Sequence, residues 1–118
     1  PALREKEYGI WQTTTWSELA HLVEHVACGL HQAGLQRGEH LIVIGANRPR
    51  LYATMLAVQA LGAVPIPLYQ DAAAVECVFP INNAEVAFAV VEDVHAMPGQ
   101  GVSSTFKFGR AHGAVRIR

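Results

Sequence analysis

The spacing of apolar positions changes along the chain between the period of a helix and that of a strand. Residues 2–15 predict two short strands with a turn at Tyr8-Gly9. The segment Thr15–Glu18 fits a capping box, which predicts a helix start. The positions that follow have helical spacing up to Gly34, which predicts one buried face: Leu19, Leu22, Val23, Val26, Leu30 and Ala33.

Three later apolar runs predict strands. Residues 41–44 form a continuous apolar, mostly β-branched run between glycines, which is typical of a strand buried on both faces of a parallel sheet. Residues 64–68 contain two prolines and therefore predict an edge strand. Residues 86–91 predict the third strand. Because helical segments separate these runs, the sequence predicts an α/β fold with a mostly parallel sheet and flanking helices.

Two helices are predicted between these strands. The first begins at an Asn47 cap, ends before Gly62 and is apolar around most of its circumference, which indicates burial on more than one side and a larger parent domain. Its outward apolar residues are predicted to be Leu51, Met55 and Val58. The second helix is predicted from an Asp71 cap to about Asn83, with Pro80 kinking or shortening it.

Composition and charge divide the chain near residue 93. The 118 residues are 51% hydrophobic, which indicates one globular domain with a real core, and no apolar run is long enough for a membrane span. Residues 1–93 contain five Lys/Arg and ten Asp/Glu, whereas residues 94–118 contain four basic residues and no acid. We therefore divide the chain into an α/β portion (1–93) and a divergent basic, Gly-rich tail (94–118). In the tail, short strands are predicted at 105–108 and 114–117.

Candidate sites for chemistry are weak. His21, His25 and Cys28 share one side of the first helix, but that side lies opposite the apolar stripe, so we predict a solvated surface without a metal ion. The loop 99–104 only partly matches a dinucleotide-binding loop and is predicted to be a plain loop. Two cysteines in the whole chain predict reduced thiols and a cytoplasmic location.

Aromatic residues near the amino terminus have two possible uses. Tyr8, Trp11 and Trp16 could form a platform for a base or a lipid. Packing between the strands beside the helix start is the more common use of such residues, and we predict it here. The net charge of −1 predicts no nucleic-acid partner.

Several stretches of the sequence together resemble a known family. They are Gly9–Gln12 with Thr15–Leu19, Gly34–Leu41 with Asn47–Pro49, Gly62–Ala72, and Ala84–Val86 with Val90–Asp93. In order and spacing they resemble the N-terminal portion of AMP-forming acyl-CoA synthetases, of the adenylate-forming superfamily, and bacterial long-chain fatty acid–CoA ligases most of all. The resemblance covers about residues 2–93.

The resemblance implies a fragment of the N-terminal domain of an acyl-CoA synthetase-like fold. The family converts a fatty acid, ATP and coenzyme A into acyl-CoA, AMP and pyrophosphate, with magnesium. The family's phosphate loop, its adenine- and ribose-binding motifs and its catalytic lysine are absent from this sequence. We therefore assign no catalytic, cofactor-binding or metal-binding residue, and we expect a fragment that is catalytically incomplete and binds no cofactor by itself.

Two other functions stay open at this point. The chain could be a non-catalytic interaction module that keeps the family's N-terminal fold, or a small nucleotide-binding domain of flavodoxin-like type. The helix that is apolar all round also predicts self-association, most simply as a dimer. Fatty acid is expected as a substrate only of the full-length family.

Overall fold

A hairpin opens the chain, and helices alternate with strands after it. The computed structural model describes residues 1–92 and 112–117. Strand β1 (Leu3–Glu7) pairs antiparallel with β2 (Ile10–Thr14) through the predicted turn at Tyr8 and Gly9. The later elements are α1 (Trp16–Gln32), β3 (His40–Ile44), α2 (Pro49–Ala60), β4 (Val64–Leu68), α3 (Ala74–Asn83), β5 (Phe88–Glu92) and β6 (His112–Arg116).

The second sheet has four strands in the order β4-β3-β5-β6. Both β4 and β5 are parallel to β3, as the alternation of strands and helices predicts. Ile42 lies opposite Ile66 on one side and Ala89 on the other, and it is completely buried. Strand β3 is thus the centre of a parallel three-stranded unit, and the predicted fold class is confirmed.

Strand β4 is the predicted edge strand, and its prolines protect that edge. The N–H of Val64 donates to the carbonyl of Glu39 at 2.9 Å, so Val64 points its backbone groups toward β3. Alternate residues of a strand point the other way, which places Pro65 and Pro67 on the outer side. Because proline has no N–H, this edge offers a further strand no donor from either residue.

The core lies between the sheet and the two helices α1 and α2. Its buried residues include Leu30 of α1, Leu41 and Val43 of β3, and Val58 of α2. Thr54 is the buried polar residue, and its hydroxyl donates to the carbonyl of Arg50 at 2.8 Å. This intrahelical bond satisfies the hydroxyl where no water reaches it.

The sequence analysis predicts the wrong residues for the outward face of α2. Val58 is completely buried, and Leu51 and Met55 are half-buried against the core. The exposed apolar residues of α2 are Tyr52 and Leu56. The reason is that α2 packs against α1 as well as the sheet, so two sides of the helix are covered within this chain.

Of the three predicted helix caps, one is confirmed and two are wrong. The capping box at Thr15 is confirmed: the Thr15 hydroxyl accepts the N–H of Glu18 at 3.2 Å, and the Glu18 carboxylate accepts the N–H of Thr15 at 2.8 Å. The Asn47 cap is wrong, because Pro49 is the first residue of α2 and holds Arg48 in an extended conformation as the cap.

The Asp71 cap is also wrong. A turn in which the N–H of Ala72 donates to the carbonyl of Tyr69 places Asp71 before the helix. Helix α3 begins later, where the Glu76 carboxylate accepts the N–H of Ala73 at 2.9 Å. The helix continues through Pro80 to its predicted end at Asn83.

Strand β6 comes from the basic tail and covers the outer side of β5. The register joins Phe88 to Arg116 in an antiparallel pair. The Arg116 guanidinium lies 4.5 Å from the centroid of the Phe88 ring, donates to the Gly34 carbonyl at 2.7 Å and lies 3.3 Å from the Glu39 carboxylate. The expected strand at 114–117 is therefore found at residues 112–116. The one at 105–108 lies outside the described residues.

Glu18 should make stability depend on pH. Hydrogen bonds from the Thr15 N–H and hydroxyl hold the pKa of Glu18 below its ordinary value of 4.5. A carboxylate whose pKa is lowered by folding stabilises the protein fully above the unfolded pKa, and this stabilisation is lost as the pH falls through the folded pKa. We expect Glu18→Gln to lower the urea midpoint at neutral pH, with the difference closing below about pH 4. A difference that stays constant at acidic pH would contradict this role.

Arg116 should hold β6 onto the domain. Its side chain is 43% exposed, which weakens its ion pair, so we expect Arg116→Ala to lower the free energy of unfolding by about 1 kcal/mol through the lost carbonyl bond and ring contact. Urea denaturation measures this. Arg50→Ala, at an exposed position of α2, is the control and should change stability by less than about 0.5 kcal/mol. Equal effects of the two substitutions would exclude an anchoring role.

Self-association is still expected, but through other residues than those first predicted. Tyr52 and Leu56 of α2 and Val75 and Phe79 of α3 are exposed apolar side chains, and none of the residues of α3 is buried. Apolar patches of a few hundred Å² are common at interfaces. We expect light scattering to give a dimer mass at micromolar concentration, reduced by Val75→Ser with Phe79→Ser. A monomer mass for the unsubstituted chain would rule this out.

Candidate functional site

A cleft opens where β3 and β4 end. The two strands run in parallel and end side by side, with Ile44 opposite Leu68, so the loops that follow them meet at one edge of the sheet. Carboxyl ends of parallel strands are the common place for ligand sites in α/β folds. The cleft has a volume of about 500 Å³.

The cleft is lined by both loops and by one side chain of α2. Its lining residues are Gly45, Ala46, Asn47, Leu51, Pro67, Leu68, Tyr69, Gln70 and Asp71. The apolar part comes from the strand end and Leu51, and the polar part from Asn47, Gln70 and Asp71. The lining therefore combines an apolar wall with amide and carboxylate groups, which suits an organic ligand with a few polar atoms.

Hydrogen bonds position the polar side of the cleft. The Tyr52 hydroxyl, from the first turn of α2, donates to the Asn47 side-chain oxygen. Arg48 follows Asn47 but contacts the hairpin instead, with its guanidinium 3.8 Å from the Glu7 carboxylate. Within residues 1–92 and 112–117, the cleft lining contains no cationic side chain, and its carboxylate is that of Asp71.

This arrangement can bind and orient a ligand but contains no reacting group. Among the described residues, no serine, cysteine, histidine or lysine lines the cleft, so its described lining holds neither a nucleophile nor an imidazole base. Among residues 1–92 and 112–117, no three His, Cys, Asp or Glu side chains come together as a metal site would require.

The candidates from the sequence do not come together at this cleft. His21, His25 and Cys28 are exposed on α1, as their position opposite the apolar stripe predicts. Both cysteines are unpaired. The loop 99–104 lies outside the described residues. Within the part of the chain that the structure describes, no helix has the length and hydropathy needed to cross a membrane.

The aromatic candidates pack less than predicted. Trp11 does contact the neighbouring strand, where it lies opposite Lys6, but more than half of the residue is exposed. Tyr8 and Trp16 are more exposed still. The prediction that these rings are used mainly for packing is therefore correct only for one side of Trp11.

The sequence analysis does not predict the cleft, because it interprets two of the lining residues as helix caps. Asn47 and Asp71 have the chemistry of helix caps and precede helices, so both were assigned as caps. Each follows a parallel strand, and that position was the available signal: polar residues just after two adjacent strands converge at one sheet edge.

Comparison with known proteins decides the family. The family model for AMP-binding enzymes matches residues 1–112. The chain belongs to the AMP-binding enzyme family. The match continues beyond residue 93, where the composition changes, so it includes part of the basic tail.

Two relatives illustrate the range of this family. Long-chain-fatty-acid–CoA ligase FadD15 of Mycobacterium tuberculosis is 29% identical over 89 residues, which cover 75% of this chain and 15% of the relative. The 2-succinylbenzoate–CoA ligase of Listeria monocytogenes is 30% identical over 90 residues, covering 75% of this chain and 19% of the relative. The chain therefore spans less than a fifth of either relative's length.

A solved structure supports the fold. The N-terminal subdomain of NpsA from Klebsiella oxytoca superposes with a TM-score of 0.67 and 26% identity, covering 75% of this chain and 23% of that one. The α/β unit described here thus corresponds to part of the N-terminal subdomain of an AMP-binding enzyme.

Proposed function

We propose that this chain is the N-terminal portion of an ATP-dependent CoA ligase that acts on long-chain fatty acids. The match of the AMP-binding family model over residues 1–112 is the observation that carries the proposal. The long-chain substrate is supported by the name of FadD15, whereas the Listeria relative is named for a different acid. Both are named as CoA ligases, so acyl activation is the shared part.

In this proposal the chain supplies part of the enzyme's fold, and its cleft can orient a ligand. The described lining of the cleft does not fit ATP with magnesium: it has no cation for phosphate, and the neighbouring Arg48 pairs with Glu7. A single carboxylate, Asp71, is also a poor magnesium site. We therefore route no step of the reaction through these residues. ATP, magnesium and coenzyme A belong to the full-length family, which is also where fatty acid would bind.

The non-catalytic interaction module receives no support from these comparisons, because the relatives with a stated activity described above are ligases. The cytoplasmic location suggested by the two unpaired cysteines stays a prediction.

The 118-residue chain alone should be inactive, whereas it should work as part of a ligase. We expect no palmitate-dependent exchange of pyrophosphate into ATP with the purified chain, because the described lining of the cleft has no cation to hold the phosphates. In a chimera, this chain's 89 matched residues replace those of FadD15, and we expect palmitoyl-CoA formation within about tenfold of FadD15 itself.

A matched variant controls for folding. Val43→Asp in the chimera places a charge in the buried central strand and should abolish both folding and activity. Exchange above the blank with the 118-residue chain would contradict its incompleteness. A folded chimera, judged by circular dichroism, that forms no palmitoyl-CoA would contradict the proposed function.

A further inference from the structure

The β1–β2 hairpin has an exposed tip of large apolar side chains. Tyr8 is 89% exposed at the turn, and Ile10 and Trp11, the first two residues of β2, are 64% and 57% exposed. The hairpin forms a sheet of its own, separate from the four-stranded sheet. We call Tyr8, Ile10 and Trp11 the hairpin tip. It projects apolar surface that the main core does not use.

Two cations lie beside the hairpin tip on one face. The Arg4 guanidinium is 4.9 Å and the Lys6 ammonium 6.0 Å from the centroid of the Trp11 ring. Lys6 pairs directly with Trp11, and Arg4 is two residues from Lys6, so all three share one face of the hairpin. The outer face therefore combines an indole ring with two positive charges.

The nearby acids do not cancel this charge on the same face. Glu5 and Glu7 alternate with the two cations and so lie on the opposite face, where both are half-buried. Glu7 also pairs with Arg48 at 3.8 Å. Glu18 is engaged by the N–H and hydroxyl of Thr15. The face of the hairpin that carries Trp11 is thus locally cationic, although the chain as a whole has a net charge of −1.

We propose that the hairpin tip binds the surface of an anionic lipid bilayer. Indole and phenol rings favour the boundary between water and acyl chains, and Arg4 and Lys6 share the face of Trp11 and are placed to meet lipid phosphates. Ile10 is paired with Glu7 and lies on the opposite face, so it adds nothing to this contact. A nucleic acid fits less well, because two cations neutralise few phosphates and the aliphatic side chain of Ile10 cannot stack on a base. This binding is peripheral and is independent of the proposed ligase activity.

The two tryptophans of the chain allow a direct test. The 118-residue protein is mixed with vesicles of phosphatidylcholine and phosphatidylglycerol in equal amounts, and in parallel with pure phosphatidylcholine. Trp16→Phe leaves Trp11 as the only indole, and Trp11→Phe leaves Trp16. We expect a blue shift of emission with the anionic vesicles for the Trp11 reporter and a much smaller one for the Trp16 reporter, because Trp16 lies beyond the far end of β2.

Substitutions then separate charge from apolar contact in vesicle co-sedimentation. We expect Lys6→Glu to weaken binding to the anionic vesicles at least about fivefold, and Trp11→Ala about tenfold. Added salt should weaken binding of the unsubstituted chain. The matched controls are Arg50→Glu, a charge reversal at an exposed residue of α2, and Trp16→Ala, the loss of an exposed ring at the start of α1. Neither should weaken binding more than about twofold.

Several results would overturn the proposal. They are equal binding to neutral and anionic vesicles, loss of binding in the controls as large as in the hairpin variants, and a blue shift confined to the Trp16 reporter. Binding of a single-stranded oligonucleotide through Trp11, with no binding to anionic vesicles, would assign the surface to nucleic acid. Because the substituted residues are exposed, circular dichroism and the urea midpoint should stay unchanged, so a loss of binding reports on the surface.

Discussion

Parallel pairing of β3 with strands on both sides is the constraint on which this structure depends. β3 has neighbours in both hydrogen-bonding directions and is covered by helices, so Leu41, Ile42 and Val43 are removed from water. A parallel neighbour needs a crossover, and α2 and α3 are the crossovers that lead to β4 and β5. The order of elements, the packing of α2 and the position of the cleft all follow from this arrangement.

The two edges of the sheet are finished by different means. On the β4 side, Pro65 and Pro67 have no N–H groups, so the outer edge of β4 offers no hydrogen-bond donor at these two positions to a further strand. On the β5 side, β6 supplies a paired strand, and Arg116 joins it to the loop between α1 and β3 through the Gly34 carbonyl and the Glu39 carboxylate. The basic tail, which differs in composition from the rest, thereby contributes to the same domain.

The surfaces that remain uncovered have different characters. The cleft is concave, and its lining mixes apolar groups with amides and one carboxylate. α3 is a helix without a buried residue, whose apolar side chains Val75, Val78 and Phe79 face solvent. The hairpin is aromatic and cationic on one face. An AMP-binding enzyme several times longer than this chain has further surface that can cover the cleft and α3. The hairpin differs from them because charged side chains lie beside its exposed indole ring.

The sequence by itself determined the elements and the family. Local signals decide a capping box such as Thr15–Glu18, a buried β-branched run such as that of β3, and a proline-marked edge, because each depends on neighbours a few residues apart. Tertiary structure decided what depends on distant residues. Asn47 and Asp71 became cleft residues because β3 and β4 end together. Val58 became buried because α1 covers α2, and tertiary structure decided that the strand at residues 112–116 pairs antiparallel with β5. Periodicity describes one element at a time, and these outcomes depend on which elements meet.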